Sequence, residues 1–410
     1  MQRVVVTGAG GLTSLGHDWP TIRTALKAGK TGIRYMPEWE RYQDLNTRLG
    51  GPVAEYELPK AGYGRKQTRS MGTVALLATR ASDLALQDAG LREHPILTSG
   101  RAGVSCGSSF GSIDATETFA RYLQTGKVAG VTSNSYVQMM GHTAPVNIGL
   151  YFKMTGRIIP TSTACTSGAH GVGYGMEAIR YGYQDMMIGG GAEELSSADA
   201  AVFDTLFATS TRNDAPETTP APYDQDRDGL VVGEGAVSLI LESLEHAQAR
   251  GANIMAELVG FGTNSDGTHI TQPNAETMAV AMRLALEDAG LHPDDIGYVS
   301  GHGTATDRGD IAESQATREV FGRAVPISSM KGNFGHTLGA CGSLEAWLAI
   351  EMMREGWFAP TANLKQVDER CAELDYIMGD GREIETDYVM SNNFAFGGIN
   401  TSLIFKRWRG

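Results

Sequence analysis

The sequence predicts an α/β protein built from two similar halves, with largely parallel sheets covered by helices. Predicted strands and amphipathic helices alternate along the chain, the pattern that favours this fold class. One eight-residue string occurs twice with small changes, as LALQDAGL at Leu84–Leu91 and as LALEDAGL at Leu284–Leu291. Each copy closes a predicted helix and is soon followed by a predicted strand. We therefore predict one half at residues 1–250 and a second at residues 251–410.

The composition indicates a globular protein with a large core. The 410 residues are 41% hydrophobic and 20% charged, and the formal net charge is −13, which argues against a general binder of nucleic acid or anionic membranes. The four cysteines form no CxxC pair, so we expect no disulfide framework and a reducing, cytoplasmic environment. We expect no signal peptide and no membrane-spanning segment, because the apolar runs are too short or are broken by charge and glycine.

A candidate nucleophile, Cys165, lies in the segment Arg157–Gly182. β-Branched residues predict a strand over Arg157–Ala164, and an apolar stripe predicts a helix from Ser167 onward. Cys165 falls on the small-residue turn between them. A helix start offers free N–H groups and partial positive charge, both of which favour the reactive thiolate. A buried structural cysteine is the alternative, and only partners elsewhere in the chain decide between the two.

The first glycine-rich stretch is predicted to be a turn. A strand is predicted at Arg3–Thr7, followed by a tight turn at Gly8–Gly11 and a helix over Asp18–Ala28. The glycine spacing does not match GxGxxG, and no second strand ending in an acid follows at the right distance. A dinucleotide-dependent dehydrogenase is therefore the weakest interpretation.

Two longer helices are predicted, over Arg65–Gly90 and, despite Pro145, over Asn134–Leu150. The first opens with a basic cluster in an otherwise acidic protein. The cluster could simply be a solvated helix start, but cations are disfavoured near the positive end of a helix, which hints at a partner. The basic cluster consists of Arg65, Lys66 and Arg69.

Two of the nine histidines differ from the others in context. His302 lies between two glycines at the end of a predicted strand, and His336 follows Gly335 shortly after Lys331. Flanking glycines let backbone and substrate come close. No metal site is predicted, because no Cys/His group has ligand spacing. One cysteine and two imidazoles suit acyl transfer through a thioester, with Nε2–H groups holding an enolate oxygen. A proteolytic Cys/His pair would leave the second histidine without a role.

Six motifs follow one another along the chain: ACTSGAHGVGYG, YDQDRDGLVVGEGA, AELVGFGTNSDG, HGTATDRGD, KGNFGHTLGACGSLEA and SNNFAFGGIN. Together they resemble the β-ketoacyl-acyl-carrier-protein synthases of the I/II type, across essentially the whole chain. The resemblance implies the thiolase fold, two similar halves stacked as five αβαβα layers, in a homodimer. It also implies decarboxylative Claisen condensation of an acyl-enzyme thioester with malonyl-carrier protein, in fatty acid, polyene or polyketide synthesis, without an organic cofactor.

The resemblance assigns catalytic roles to matching residues. Cys165 is expected to be the acylated nucleophile. His302 and His336 are expected to promote malonyl decarboxylation and to stabilise the enolate. Lys331 would organise the site, with Glu345 behind it.

The resemblance also assigns binding roles. The backbone N–H groups of Cys165 and Phe396 would form the oxyanion hole, and Cys341, which has no catalytic counterpart, is interpreted as structural. The basic cluster would dock an acidic acyl carrier protein. Residues expected to contact the acyl chain or the phosphopantetheine arm are Thr304, Thr306, Thr271, Phe110 and Phe394.

Two departures from the family pattern bear on function. Ala395 stands where the family usually has glycine, in a loop expected to open and close, and alanine tolerates positive φ poorly. Phe110 stands where the family has a smaller residue in the acyl pocket, so we expect a restricted or unusual acyl substrate. A hydrophobic pocket discriminates each methylene by only about 1–3 kcal/mol.

Two alternatives within the same fold are considered. The first is a partner subunit similar to a chain-length factor, in a heterodimer with a related ketosynthase. Such subunits usually lack the nucleophile, so Cys165 argues against it. The second is a thiolase that uses free coenzyme A, but no second cysteine occupies the position of His302 or His336 to act as its base.

Overall fold

The computed structural model describes residues 1–410. The strands are β1 (Val4–Leu12), β2 (Arg34–Tyr35), β3 (Leu49–Gly50), β4 (Ala102–Gly107), β5 (Ile158–Pro160), β6 (Met186–Glu193), β7 (Gly235–Ser243), β8 (Ala256–Ser265), β9 (Tyr298–Ser300), β10 (Pro326–Ser328), β11 (Trp357–Phe358), β12 (Asp375–Tyr376), β13 (Arg382–Glu383), β14 (Tyr388–Ala395) and β15 (Ile399–Arg407). The helices are α1 (Trp19–Lys27), α2 (Arg65–Thr68), α3 (Thr73–Asp88), α4 (Ile113–Thr125), α5 (Ser133–Met139), α6 (Thr143–Phe152), α7 (Ser167–Arg180), α8 (Ser197–Asp204), α9 (Leu244–Ala249), α10 (Ala275–Ala289), α11 (Asp307–Phe321), α12 (Lys331–Phe334) and α13 (Cys341–Glu355).

Eleven strands form one hydrogen-bonded sheet in the order β12-β10-β9-β14-β15-β8-β1-β7-β6-β4-β5. The outer strands at both ends pair in parallel, as expected. The central pairs are antiparallel, so the prediction of largely parallel sheets is wrong for the middle of the molecule. One cause is local, because β14 and β15 are joined by a three-residue connection that can only form a hairpin.

Helices lie in three layers around the sheet strands. The middle layer is α7 and α13, which pack against each other and against strands on both sides, β6 and β7 as well as β15. One outer layer contains α3, on β1 and β7, and the other contains α10, on β8 and β15, with α11 packed against α10. This arrangement agrees with the five-layer thiolase-like fold. None of the helices combines the length and the apolar character needed to cross a membrane.

The glycines near the N-terminus are part of β1 and do not form the predicted turn. A Cβ atom at Gly10 would lie 2.4 Å from the backbone nitrogen of Ala85 in α3, so the strand needs glycine for helix and sheet to touch. The other half repeats the contact, since a Cβ at Gly262 in β8 would lie 2.5 Å from the backbone nitrogen of Ala285 in α10. The duplicated string therefore marks two helices that approach central strands equally closely.

Both longer predicted helices are interrupted. The predicted helix over Arg65–Gly90 is two helices, α2 and α3, because Gly72 is extended and packs its backbone against Ser112. The predicted helix over Asn134–Leu150 is also two, α5 and α6, and Pro145 lies in the first turn of α6, where no intrahelical N–H is needed.

Candidate active site

Cys165 lies on a constrained turn between β5 and α7, where the sequence predicts it. The strand is shorter than expected, and the turn takes up the residues after Pro160. Ala164, directly before the cysteine, has φ +50°, in the left-handed region. Ser167 holds this conformation, because its hydroxyl donates to Ala164 O at 2.6 Å and accepts from Thr163 N at 2.9 Å. The turn fixes Sγ at the start of α7.

The two predicted histidines meet at Cys165. Nε2 of His336 is 3.0 Å from Cys165 Sγ, and the rings of His302 and His336 lie 5.1 Å apart, nearly perpendicular. His302 follows the end of β9, and His336 follows α12 through Gly335, whose φ is +75°. One side chain from the turn before α7 and two from the second half of the chain therefore form one buried site.

A buried network behind His302 determines which nitrogen of that ring carries the proton. Lys331 Nζ is 3.1 Å from His302 Nδ1, and Asn393 Nδ2 is 3.3 Å from the same atom. The ammonium and the amide are donors, so Nδ1 accepts and Nε2 carries the hydrogen. Glu345 contacts Lys331 Nζ and accepts from Asn393 at 2.6 Å, which keeps both donors in place. His302 thus presents Nε2–H toward the cavity.

This tautomer bears on metal binding at the same residues. Ligand atoms of Cys165, His302 and His336 lie within 4.8 Å of one another, which is close enough for a shared ion. A metal would need the lone pair of His302 Nε2, and the Lys331 ammonium keeps a proton there. Metal-ligating histidines instead donate their second nitrogen to an acceptor.

Burial dominates the protonation states. It raises the pKa of the Cys165 thiol to about 12, although the Lys331 ammonium and the backbone N–H groups of Phe396 and Cys165 act in the opposite direction. Loss of solvation thus outweighs the effect of the helix start, and the thiol is the resting form. Burial, with help from Lys331, lowers the pKa of His302 and of His336 well below the usual value. Both imidazoles are neutral at pH 7.

Most of the predicted substrate-binding residues line one cavity with the predicted catalytic side chains. The cavity has a volume of about 650 Å³ and is lined by Cys165, His302 and His336 together with Thr304, Thr306, Thr271, Phe394 and Phe396.

Other predicted residues lie elsewhere. Phe110 is outside the cavity lining and 40% exposed. Ala395 is the last residue of β14, and Gly397 and Gly398 supply the positive φ of the turn that follows. The basic cluster lies on α2 and just after it, and all three of its residues are exposed.

Sequence reasoning missed the acids that hold the His302 loop. Glu313 accepts from the backbone N–H groups of His302 at 2.5 Å and Gly303 at 2.6 Å. Asp310 accepts from the N–H groups of Thr304 and Ala305 at 3.0 and 3.1 Å. The available signal was their i, i+3 spacing on α11, which places both carboxyl groups on one helix face.

A buried cation, Arg227, lies next to Asp310. The Arg227 side chain is 1% exposed, lies 2.6 Å from Asp368 and 3.6 Å from Asp310, and donates to Thr306 O. The loop that carries His302 is therefore anchored by charged groups supplied by three separate segments.

Comparison with known proteins identifies the chain's relatives. Residues 1–247 match the family Beta-ketoacyl synthase, N-terminal domain, and residues 255–365 match Beta-ketoacyl synthase, C-terminal domain. The chain is 37% identical to 3-oxoacyl-[acyl-carrier-protein] synthase 2 of Vibrio cholerae and 35% identical to 3-oxoacyl-[acyl-carrier-protein] synthase 1 of Escherichia coli, over 99% of each chain. Among solved structures, it resembles a beta-ketoacyl synthase from Burkholderia phymatum (59% identity, all of both chains, TM-score 0.98). It also resembles the ishigamide ketosynthase/chain length factor (30% identity, 99% of each chain, TM-score 0.89).

Fold and relatives together define a thiolase-fold ketosynthase, an enzyme of the acyltransferase type. The family models match most of the chain, and the two relatives match nearly all of it. The chain belongs to the beta-ketoacyl synthase family.

Proposed function

We propose that this protein joins an acyl group held on Cys165 to malonyl-acyl-carrier protein, with loss of CO2, to give a 3-oxoacyl-carrier protein. The observation that carries the proposal is the contact of His336 Nε2 with Cys165 Sγ at 3.0 Å beside a His302 whose Nε2 must carry a hydrogen. A nucleophile, a proton acceptor and an anion-stabilising donor thus meet in one cavity.

In the first half-reaction, Cys165 Sγ attacks the carbonyl carbon of the acyl thioester. The thiol proton leaves through His336 Nε2, the side-chain nitrogen in contact with Sγ, and ends on the departing carrier thiol. The tetrahedral oxygen would receive hydrogen bonds from the backbone N–H groups of Cys165 and Phe396. Both N–H groups already act on the Sγ atom in the resting site.

In the second half-reaction, the malonyl thioester loses CO2 and its electron pair forms an enolate. The His302 Nε2–H donates to the enolate oxygen, and the His336 ring lies beside that of His302. The enolate carbon then attacks the acyl carbonyl, and Cys165 leaves as the thiolate. A neutral His302 imidazole suits this step, because its Nε2–H donates a hydrogen bond without the ring needing to be protonated first.

The cavity also supports the proposed binding roles. Thr304 and Thr306, whose hydroxyls lie 2.8 Å apart, would bind the phosphopantetheine arm, with Thr271 across the entrance. The restriction of the acyl chain by Phe110 stays a prediction, because Phe110 lies outside the lining of this cavity; comparing turnover of short and long acyl carriers tests it. Equal use of long saturated chains would contradict it.

We propose an acidic acyl carrier protein as the partner, docked at the basic cluster. The exposed Arg65 and Lys66 support this, since they are cations on the surface of a chain with net charge −13. The absence of organic cofactors and the cytoplasmic location stay predictions. The division of the chain at residue 250 also stays a prediction. It is supported by the short pairing between β1, in the first half, and β8, in the second half.

Dimerisation is also a proposal. The parallel edge of the sheet ends at β5, where Ile158 is exposed, and α4 buries only Ala115. Both features suit a second protomer. A homodimer is proposed first. A heterodimer with a related subunit is the alternative, supported by the likeness to structures of ketosynthases with chain length factors.

The decisive experiment is intact-protein mass spectrometry after incubation with malonyl-carrier protein and a ladder of acyl carriers. An acyl adduct on Cys165, absent in Cys165→Ala, followed by a carrier product two carbons longer, is the expected result. An adduct without elongation, even with malonyl-carrier protein in excess, would indicate a missing partner. Absence of any adduct would favour the subunit similar to a chain-length factor.

A further inference from the structure

A buried acid that the proposed mechanism does not use lies between two loops at the active site. Glu193 ends β6, is 1% exposed and has no cationic partner. Its Oε2 atom accepts from Ser109 N at 2.7 Å, from the Ser109 hydroxyl and from Gly339 N at 2.9 Å, while Oε1 lies 3.3 Å from Phe110 N. One carboxyl therefore joins the loop after β4 to the turn after His336.

The turn after His336 needs such support. Leu338 has φ +44°, a left-handed conformation that a branched side chain adopts only when its surroundings hold it there. The neighbouring Gly339 N–H donates to Glu193. A Cβ at Gly339 would lie 2.6 Å from Ser109 N, so the turn is pressed against the other loop. The bond to Glu193 fixes the turn at Gly339, three residues after His336.

The loop after β4 is in turn tied to the nucleophile. Ser162, in the turn before Cys165, donates to Ser108 O at 2.6 Å. A chain of contacts thus runs from the Cys165 turn through the Ser108–Phe110 loop and Glu193 to the His336 turn.

We propose that Glu193 is a positioning residue of the condensation, whose carboxyl holds the His336 turn at the distance from Cys165 that both half-reactions need. This role rests on the proposed function for its effect on catalysis. The geometry itself is independent of that function. Burial and the nearby Asp199 raise the pKa of Glu193 to about 8, so a neutral amide is a close substitute for this group.

Two substitutions and a matched control test the role. Glu193→Met fills the space but offers no oxygen to Gly339, whereas Glu193→Gln keeps one. Glu194→Met is the control, because Glu194 is also buried and also accepts from a backbone N–H, that of Ile113 at 2.5 Å, but does not contact the His336 turn. Urea unfolding of all three variants measures how much the loss of a buried acid lowers the free energy of unfolding.

The readouts are malonyl-carrier decarboxylation and the rate at which iodoacetamide alkylates Cys165. A displacement of about 1 Å can cost about 100-fold in rate, so we expect Glu193→Met to lose about 100-fold in kcat with little change in KM. Its alkylation rate should fall at least about tenfold, since the thiol loses its contact with His336. Glu193→Gln and Glu194→Met should stay within about threefold of the wild type in both assays.

Three outcomes would overturn the proposal. The first is a loss of about 100-fold in Glu193→Gln, which retains the oxygen; this test stands even if Glu193→Met does not fold. The second is an equal loss in Glu194→Met, which would indicate general destabilisation. The third is normal alkylation of Cys165 in Glu193→Met. If the wild type itself releases no CO2, the proposed function fails, and alkylation still tests Glu193.

Discussion

Replacing Lys331 by methionine tests the buried ion pair behind His302. The Lys331 side chain is 1% exposed, and its removal leaves the Glu345 carboxyl buried with the Asn393 amide as its other side-chain partner. Removing one member of a buried pair costs about 3–5 kcal/mol, so we expect the free energy of unfolding to fall by that amount. His302 Nδ1 also loses its charged donor, so Nε2 is no longer held as the N–H group. Loss of one such donor lowers the rate by about 10²–10³-fold.

A double variant separates stability from chemistry. In Lys331→Met/Glu345→Gln no buried charge remains, so the free energy of unfolding should return to within about 1–2 kcal/mol of the wild type. The decarboxylation rate should stay low, because the charged donor to His302 Nδ1 is still missing and only the longer contact with Asn393 remains. Urea unfolding and CO2 release from malonyl-carrier protein measure the two quantities. Recovery of decarboxylation in the double variant, or wild-type stability in the single variant, would refute the reasoning.

Three further predictions concern stability. Burial lowers the pKa of His170 to about 4. As the pH falls below the pKa of about 6.5 that His170 has in the unfolded chain, the free energy of unfolding should fall by about 1.4 kcal/mol per pH unit until about pH 4. Urea unfolding at a series of pH values should show a smaller slope for His170→Asn. Gly10→Ala places a methyl group against the Ala85 backbone and should cost about 1–3 kcal/mol in urea unfolding; an unchanged midpoint would show that β1 and α3 can separate freely. Arg227→Met leaves Asp368 without its buried cation and should lower the free energy of unfolding by about 3–5 kcal/mol. A loss under about 1 kcal/mol would mean that Arg370 alone can neutralise Asp368.

Local chemistry explains what the sequence alone could predict at the site. The turn at Cys165 is signalled by a β-branched run, small residues and an apolar stripe, all within one segment, and the structure contains that turn. His302 and His336 stand out because glycines flank them, and the structure brings both to the nucleophile. The duplicated string also predicted two similar halves, and α3 and α10 are their equivalent helices. Each copy of the string carries an alanine whose backbone touches a glycine of a central strand.

Long-range packing explains what the sequence did not reveal. Gly10 indicates a turn when read locally, and only the position of α3 makes it a strand residue. Asn393 lies in the motif SNNFAFGGIN, but it contacts His302, 91 positions earlier in the sequence, only because β9 and β14 lie side by side in one sheet. The pKa of Cys165 could not be predicted either, because a helix start is visible in the sequence whereas full burial is not.

The contact between α7 and α13 has an electrostatic consequence. A Cβ at Gly168 would lie 2.8 Å from Ser343 N, so the first turns of the two helices touch beside Cys165. Each helix start carries roughly half a positive charge from its aligned peptide groups. That charge belongs to the backbone and cannot be titrated away. It favours the thiolate, the tetrahedral oxyanion and the enolate in turn, while it opposes an imidazolium at either histidine, so the same fixed field serves every anion in the cycle.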